Sequence, residues 1–169
     1  MRYMSTEMTW QTISTSAEET ERLGKLLGKL LKPPAVIELR SDLGGGKTTF
    51  VRGLARGMGS KDVVTSPTFT LNQIYKGRNG VALSHHDFYR LKEAGIMVDE
   101  LSESLHDNMT VTVVEWADVV EDVLPKDRVI IMLRPVASNS EKREIEITYP
   151  GIKIGIIEKA KTQWAKLRP

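Results

Sequence analysis

Residues 35–58 constrain this chain more than any other stretch. Ala35-Val36-Ile37-Glu38-Leu39-Arg40 has the length and apolar content of a strand. It leads into Ser41-Asp42-Leu43-Gly44-Gly45-Gly46-Lys47-Thr48 and then into residues 49–58, where Phe50, Leu54 and Met58 recur four apart, as on one helix face. Strand, glycine-rich turn, Gly-Lys-Thr and helix in this order give a phosphate-binding loop its physical context. Polyphosphate is strongly anionic, and glycines let consecutive backbone N–H groups turn inward with no Cβ in the way. The helix start adds unpaired N–H donors and the positive end of its dipole. The reading assigns residues Asp42, Leu43, Gly44, Gly45, Gly46, Lys47, Thr48 and Thr49 to nucleoside triphosphate binding. Lys47 reaches the β- and γ-phosphates, and the Thr48 hydroxyl serves Mg²⁺. One position departs from the pattern G-x-x-x-x-G-K-[ST]: Ser41 stands where glycine is usual, and Gly44 and Gly45 offer compensating freedom.

The length of 169 residues fits a single domain over 1–169, enough to bury roughly 70% of the unfolded surface. No cysteine is present, so there is neither a disulfide framework nor a thiolate zinc site, and a cytoplasmic location is expected. The stretch Met1–Glu7 is polar and lacks the apolar centre of a signal peptide. No apolar run approaches the ~20 residues that cross a bilayer, so no membrane partner is expected. Net charge is +2, although residues 151–169 hold five basic side chains against one acid, read as a solvated helix face.

Residues 9–14 read as an opening strand. Ser16 and Glu19 have capping-box spacing, and Leu23, Leu27 and Leu30 continue a helical stripe to about Leu31, where Pro33-Pro34 ends it. Residues 69–75 and 81–86 read as a hairpin across Lys76–Gly80. A short helix over 96–105 turns Val98, Leu101 and Leu105 inward. Thr110–Val114 is a β-branched buried strand ending in Glu115-Trp116. A short helix covers 117–124, two antiparallel strands cover 128–134 and 143–149, and a final helix buries Ile156, Ala160, Trp164 and Leu167. Strand–helix alternation with late hairpins gives an α/β layer fold whose sheet is mixed and not purely parallel.

A nucleotide site needs a second acid beyond the loop. Glu115 ends an apolar strand, and ligands of open α/β sheets sit beyond the carboxyl ends of strands. It suits the Mg²⁺ shell or an attacking water; the alternative is a surface carboxylate. Ser66-Pro67-Thr68-Phe69 lies where a γ-phosphate-sensing segment follows the loop helix, although alone it is an ordinary turn. In His85-His86-Asp87-Phe88-Tyr89-Arg90, period two puts His85, Asp87 and Tyr89 on one face and His86 opposite, which argues against a paired-histidine zinc site. Asp87 suits a metal or water ligand, Arg90 a partner for a carboxylate, and Trp116 a core aromatic. No Asn-Lys-x-Asp or Thr-Lys-x-Asp string exists to read guanine.

With these stretches in order, the sequence resembles the TsaE (YjeE) family of small bacterial P-loop ATPases. The matching residues are Asp42-Leu43-Gly44-x-Gly46-Lys47-Thr48-Thr49-Phe50, Ser66-Pro67-Thr68-Phe69, His85-x-Asp87-x-Tyr89-Arg90-Leu91 and Val114-Glu115-Trp116. Ser41 replaces the family's usual Gly, and Gly45 its usual Ala. The resemblance implies a P-loop NTPase-like α/β fold, a mostly parallel central sheet with added antiparallel strands and flanking helices. It also implies Mg²⁺-dependent ATP hydrolysis that supports placing threonylcarbamoyl on the adenosine beside the anticodon of tRNA. It implies docking on a TsaB–TsaD pair, with tRNA met only through that complex. By position it implies Thr48 and Glu115 at Mg²⁺, and Glu115, Asp87 and Thr68 as the catalytic set, Asp87 and Thr68 lying near the γ-phosphate. A small-molecule kinase is the alternative; it needs an acceptor pocket and an arginine-bearing lid, for which the sequence offers no clear candidate.

Overall fold

Seven strands form one mixed sheet in the computed structural model, which describes residues 6–93 and 95–168. They are β1 (Glu7–Ser14), β2 (Ala35–Arg40), β3 (Asn72–Lys76), β4 (Ala82–Asp87), β5 (Thr110–Glu115), β6 (Val129–Val136) and β7 (Asn139–Pro150). Their order across the sheet is β1-β7-β6-β2-β5-β4-β3. The central run β6-β2-β5-β4 is parallel, with β7 and β1 added antiparallel at one end and β3 at the other. This is the mixed α/β sheet expected from the sequence. Its parallel centre has a direct consequence: β2, β4 and β5 all deliver their carboxyl ends to one edge.

The helices are α1 (Ala17–Leu30), α2 (Lys47–Gly57), α3 (Met97–His106) and α4 (Ile154–Leu167). Period two in the strands separates two cores. Ile37, Leu39, Val111 and Val113 join Leu23, Leu27, Phe50, Leu54, Ile157 and Trp164 of α1, α2 and α4. On the other face Val114 packs with Phe88, Met97, Leu101 and the 3-10 segment Ala117–Val123. β5 is buried along its whole length, which explains its unbroken β-branched run. Each large side chain such as Phe50 or Leu54 contributes ~1.5–3 kcal/mol by burial.

Ser16 caps α1 by accepting from the Glu19 N–H at 3.2 Å, while the Glu19 carboxylate accepts from the Thr15 N–H at 2.7 Å. The α1–α2 contact is closer than side chains permit. A Cβ on Gly24 or Gly28 of α1 would stand 2.3 or 2.1 Å from the carbonyl oxygens of Phe50 and Leu54. A Cβ on Gly53 or Gly57 of α2 would stand 1.9 or 2.2 Å from those of Glu21 and Lys25. Two Gly-x-x-x-Gly faces therefore meet backbone to backbone, a geometry suited to Cα–H···O contacts.

Three expectations shift. The strand expected at 69–75 begins at Asn72, because Leu71 takes φ 65° and its N–H donates to Pro67 O, closing a turn. In α4 the buried stripe is Ile157, Ala160 and Trp164, with Leu167 exposed. The indole fixes that phase by donating from Nε1 to Thr12 Oγ1 at 2.9 Å. In α3, Leu101 is buried together with Met97, while Val98 and Leu105 are only partly covered. Among the described residues no helix is long and apolar enough to cross a membrane.

Candidate functional site

β2 ends at Arg40, and the chain turns through the glycine-rich loop into α2. Gly44 and Gly46 take φ +74° and +99°, conformations that side chains disfavour. Gly46 is the N-cap of α2 and carries no side chain to cap it, so the helix opens with free N–H groups. Lys47 folds back over the loop: its Nζ donates to Ser41 O at 3.1 Å and Asp42 O at 3.0 Å, and lies 4.9 Å from the Trp116 ring centre. Burial pulls the Lys47 pKa below its ordinary value, while the carboxylates of Glu115, Asp87 and Asp42 oppose that pull. Ser41 turns its hydroxyl to Asp42 O at 3.1 Å, and the Gly45 N–H donates to the same carbonyl at 3.1 Å.

The opposite wall comes from β4 and β5, whose last residues Asp87 and Glu115 are direct neighbours across the ladder. Lys47, Asp87 and Glu115 are 7%, 2% and 3% exposed. Asp87 accepts from the Thr68 hydroxyl at 2.8 Å through Oδ2 and from the Tyr89 N–H at 2.9 Å through Oδ1. Thr68 shares a 2.7 Å hydrogen bond with Ser66, so the turn before β3 is tied to the end of β4. Glu115 Oε1 and the buried His85 Nε2 lie 2.8 Å apart, which fixes the carboxylate; His85 Nδ1 has no partner among the described residues.

These groups surround a cleft of about 260 Å³ lined by residues 43–49 of the loop and α2, and by Ser66, Thr68, Asp87, Glu115 and Trp116. Of the residues assigned to nucleotide, metal or catalysis in the sequence, all but Asp42 line the cleft; the Asp42 carbonyl instead accepts from Lys47 Nζ and the Gly45 N–H. A second cleft of about 300 Å³ shares Gly46 and Thr49, and lies between the start of α1 (Ser16, Thr20) and the start of β7 (Ser140, Arg143). The oxygens of Thr48 and Glu115 make a hard donor set of the kind that suits Mg²⁺. Neither the Thr48 hydroxyl nor Glu115 Oε2 takes a protein hydrogen bond among the described residues.

Two readings change. Trp116, expected in the core, lines the cleft in a left-handed conformation (φ 56°) and packs on Tyr89 with ring centres 4.9 Å apart. Arg90 lies over the Phe69 ring at 4.1 Å and pairs with no carboxylate among the described residues. Arg143 is a further contributor: it donates to the loop carbonyls of Gly45 at 2.9 Å and Gly44 at 3.4 Å. No local sequence signal marks it.

Comparison with known proteins gives the family. The family model described as Threonylcarbamoyl adenosine biosynthesis protein TsaE matches residues 14–145. A Treponema pallidum protein named tRNA threonylcarbamoyladenosine biosynthesis protein TsaE is 40% identical over 135 residues, 80% of this chain and 97% of its own length. The Bacillus subtilis protein of the same name is 38% identical over 146 residues, 86% of this chain and 87% of its own. The crystal structure of Bacillus subtilis YdiB superposes with a TM-score of 0.73 at 32% identity, covering 95% of this chain and 98% of that one. The matched span holds the glycine-rich loop, Thr68, Asp87 and Glu115 together, and the chain belongs to the TsaE family of threonylcarbamoyl adenosine biosynthesis proteins.

Proposed function

We propose that this protein is the ATP-binding and ATP-hydrolysing component of tRNA threonylcarbamoyladenosine biosynthesis. In this reading it is a single-domain cytoplasmic ATPase that acts on a TsaB–TsaD pair and meets tRNA only through that assembly. One observation carries the proposal. A glycine loop with Lys47 and Thr48 faces the paired carboxylates Asp87 and Glu115 across one cleft at the carboxyl edge of the parallel strands.

The chemistry follows from the contacts. Loop N–H groups and the α2 N-terminus take the β-phosphate, and Lys47 leaves its two carbonyls for the β- and γ-oxygens. Thr48 and Glu115 would hold Mg²⁺, which when bound neutralises charge on the β- and γ-phosphates. Asp87, aligned by Thr68 and the Tyr89 N–H, orients a water toward the γ-phosphorus. Water adds there as the bond to the bridging oxygen breaks, giving ADP and phosphate. We place the nucleoside in the second cleft, which shares Gly46 and Thr49 with the first and runs between Ser16 and Ser140. Trp116 beside Lys47 walls the phosphates from solvent.

Phosphate release from Mg²⁺–ATP by the purified protein, alone and with a TsaB–TsaD pair, tests this reading. Release with no acceptor present, raised by the pair, is the expected result. A kinase would retain the phosphoryl group until an acceptor arrived, and a silent protein in both conditions would remove ATPase activity from the proposal.

A further inference from the structure

Arg143 stands 98 residues along the chain from Gly45, yet its guanidinium lies against the glycine loop. Nε donates to Gly45 O at 2.9 Å and Nη2 to Gly44 O at 3.4 Å. Nη1 takes the carbonyls of Ser140 at 2.5 Å and Lys142 at 2.9 Å, within its own hairpin. All four acceptors are backbone carbonyls, and among the described residues Arg143 enters no ion pair. The hairpin is itself anchored, since Arg143 pairs with Ser14 across β7 and β1.

We infer that Arg143 is a positioning residue of the phosphate loop, a strut that holds the loop carbonyls outward so that its amides face the nucleotide. This rests on the reading that the loop binds nucleotide phosphates. In a planar trans peptide the C=O and N–H point opposite ways, so a Gly45 carbonyl held on Arg143 sends the Gly46 N–H away from it. Glycine peptides flip readily, and of the three in a row Gly45 has its N–H fixed within the loop, on Asp42 O, while those of Gly44 and Gly46 have no such bond among the described residues. Donors help a polyanion most when they are already aimed. Lys47 does not supply this order, because it grips the carbonyls of Ser41 and Asp42 at the other end of the loop. A rigid guanidinium fork spans two adjacent carbonyls; an ammonium is a compact point donor.

The strut touches the loop and lines the second cleft, and it does not touch Asp87, Thr68 or Glu115, so its loss weakens binding more than chemistry. Arg143→Ala is expected to loosen Mg²⁺–ATP and Mg²⁺–ADP alike by at least fivefold. The KM for ATP rises by a similar factor, and kcat at saturating ATP stays within twofold. Millimolar free guanidinium restores part of the affinity, and Arg143→Lys falls between the two proteins. Calorimetric titration of both nucleotides into wild type, Arg143→Ala, Arg143→Lys and Lys47→Ala provides the test. If Lys47→Ala binds normally, the loop is not the nucleotide site and the underlying reading fails. If Lys47→Ala loses binding while Arg143→Ala keeps it, the strut is refuted and the reading stands. Weak binding by Arg143→Ala with a lowered melting temperature and no guanidinium rescue makes Arg143 merely structural, which also overturns the inference. Should Arg143→Ala fail to fold, Arg143→Lys decides, and wild-type affinity there counts against the strut.

Discussion

Glu115 gives one carboxylate oxygen to His85 and, among the described residues, keeps the other without a protein partner, an asymmetry that separates placement from chemistry. Glu115→Gln preserves size, and its amide oxygen still accepts from His85, so the fold tolerates it. Its charge is lost where γ-phosphate chemistry needs it, and hydrolysis is expected to fall at least tenfold, about 1.4 kcal/mol. ATP affinity should fall less; equal losses in turnover and affinity would assign Glu115 to binding alone. Ser41 raises a different question at the start of the loop. A Cβ on Gly45 would stand 1.5 Å from Ser41 Oγ and 2.8 Å from Ser41 Cβ, so the serine occupies the space an alanine at 45 requires. Ser41 and Gly45 therefore divide one volume between them. Gly45→Ala alone is expected to weaken Mg²⁺–ATP binding, Ser41→Gly alone to leave it unchanged or tighter, and the double variant to bind near wild type. The coupling across this cycle should exceed about 1 kcal/mol, and additive affinities by calorimetry would disprove it. The sequence displayed both residues; their contact needed the folded loop.

At the scale of elements, α2 carries Lys47 and Thr48 at its start, and its seating is set by α1. Gly53→Ala drives a Cβ to 1.9 Å from Glu21 O and 2.9 Å from Lys25 N, both backbone atoms that no rotamer change can clear. Overpacking of this kind costs ~1–3 kcal/mol and outweighs alanine's better helix propensity. Gly155→Ala on α4 meets nothing within 4 Å and should stabilise by up to ~1 kcal/mol. Thermal melts of the two variants should thus move in opposite directions, Gly53→Ala downward by ~2–4 °C for each kcal/mol lost in a domain of this size. Shifts of the same sign would refute the close helix contact. The signal was present in the sequence, since Gly24/Gly28 and Gly53/Gly57 repeat at i, i+4 on adjacent helices, but composition alone cannot say which glycines face each other. Elements with strong local grammar were legible: the β2–loop–α2 unit, the Ser16 cap and the buried β5 all follow from nearest neighbours. The start of β3 was not, because it depends on Leu71 adopting φ 65°. The left-handed Trp116, which turns its ring into the cleft, escaped for the same reason.

Across the whole molecule, what the sequence withheld is non-local: β1 finds β7 through Ser14↔Arg143, and with it the strut beneath the loop. The sheet also buries a proton-binding group that ties global stability to pH. His86 faces away from Asp87 and Glu115; its Nε2 shares a 2.9 Å hydrogen bond with the Ser84 hydroxyl, its ring stacks on Phe88, and Nδ1 has no partner among the described residues. Burial pushes its pKa down to about 4, with the neighbouring His85 adding to the shift. In the unfolded chain a histidine titrates near ~6.5. Between those values the unfolded chain binds a proton that the folded protein refuses, so stability declines as pH falls from 6.5 toward 4. Above pH 7 the term is constant. Integrated between pH 7 and pH 5 it amounts to about 2 kcal/mol. Glu38 acts in a lower window. Burial pushes its carboxyl up, but hydrogen bonds and charge from Arg40 and Arg128 outweigh that and hold it below its ordinary value of 4.5, so its contribution is lost only as pH falls through that range. Urea unfolding at pH 7 and pH 5 should show the loss in wild type and a much smaller one in His86→Gln, whatever that variant's absolute stability. NMR of the folded protein should find the His86 imidazole neutral at pH 5. A ring that titrates near pH 6.5 in the folded state, or an unchanged pH slope in His86→Gln, would show that the sheet interior does not exclude this proton.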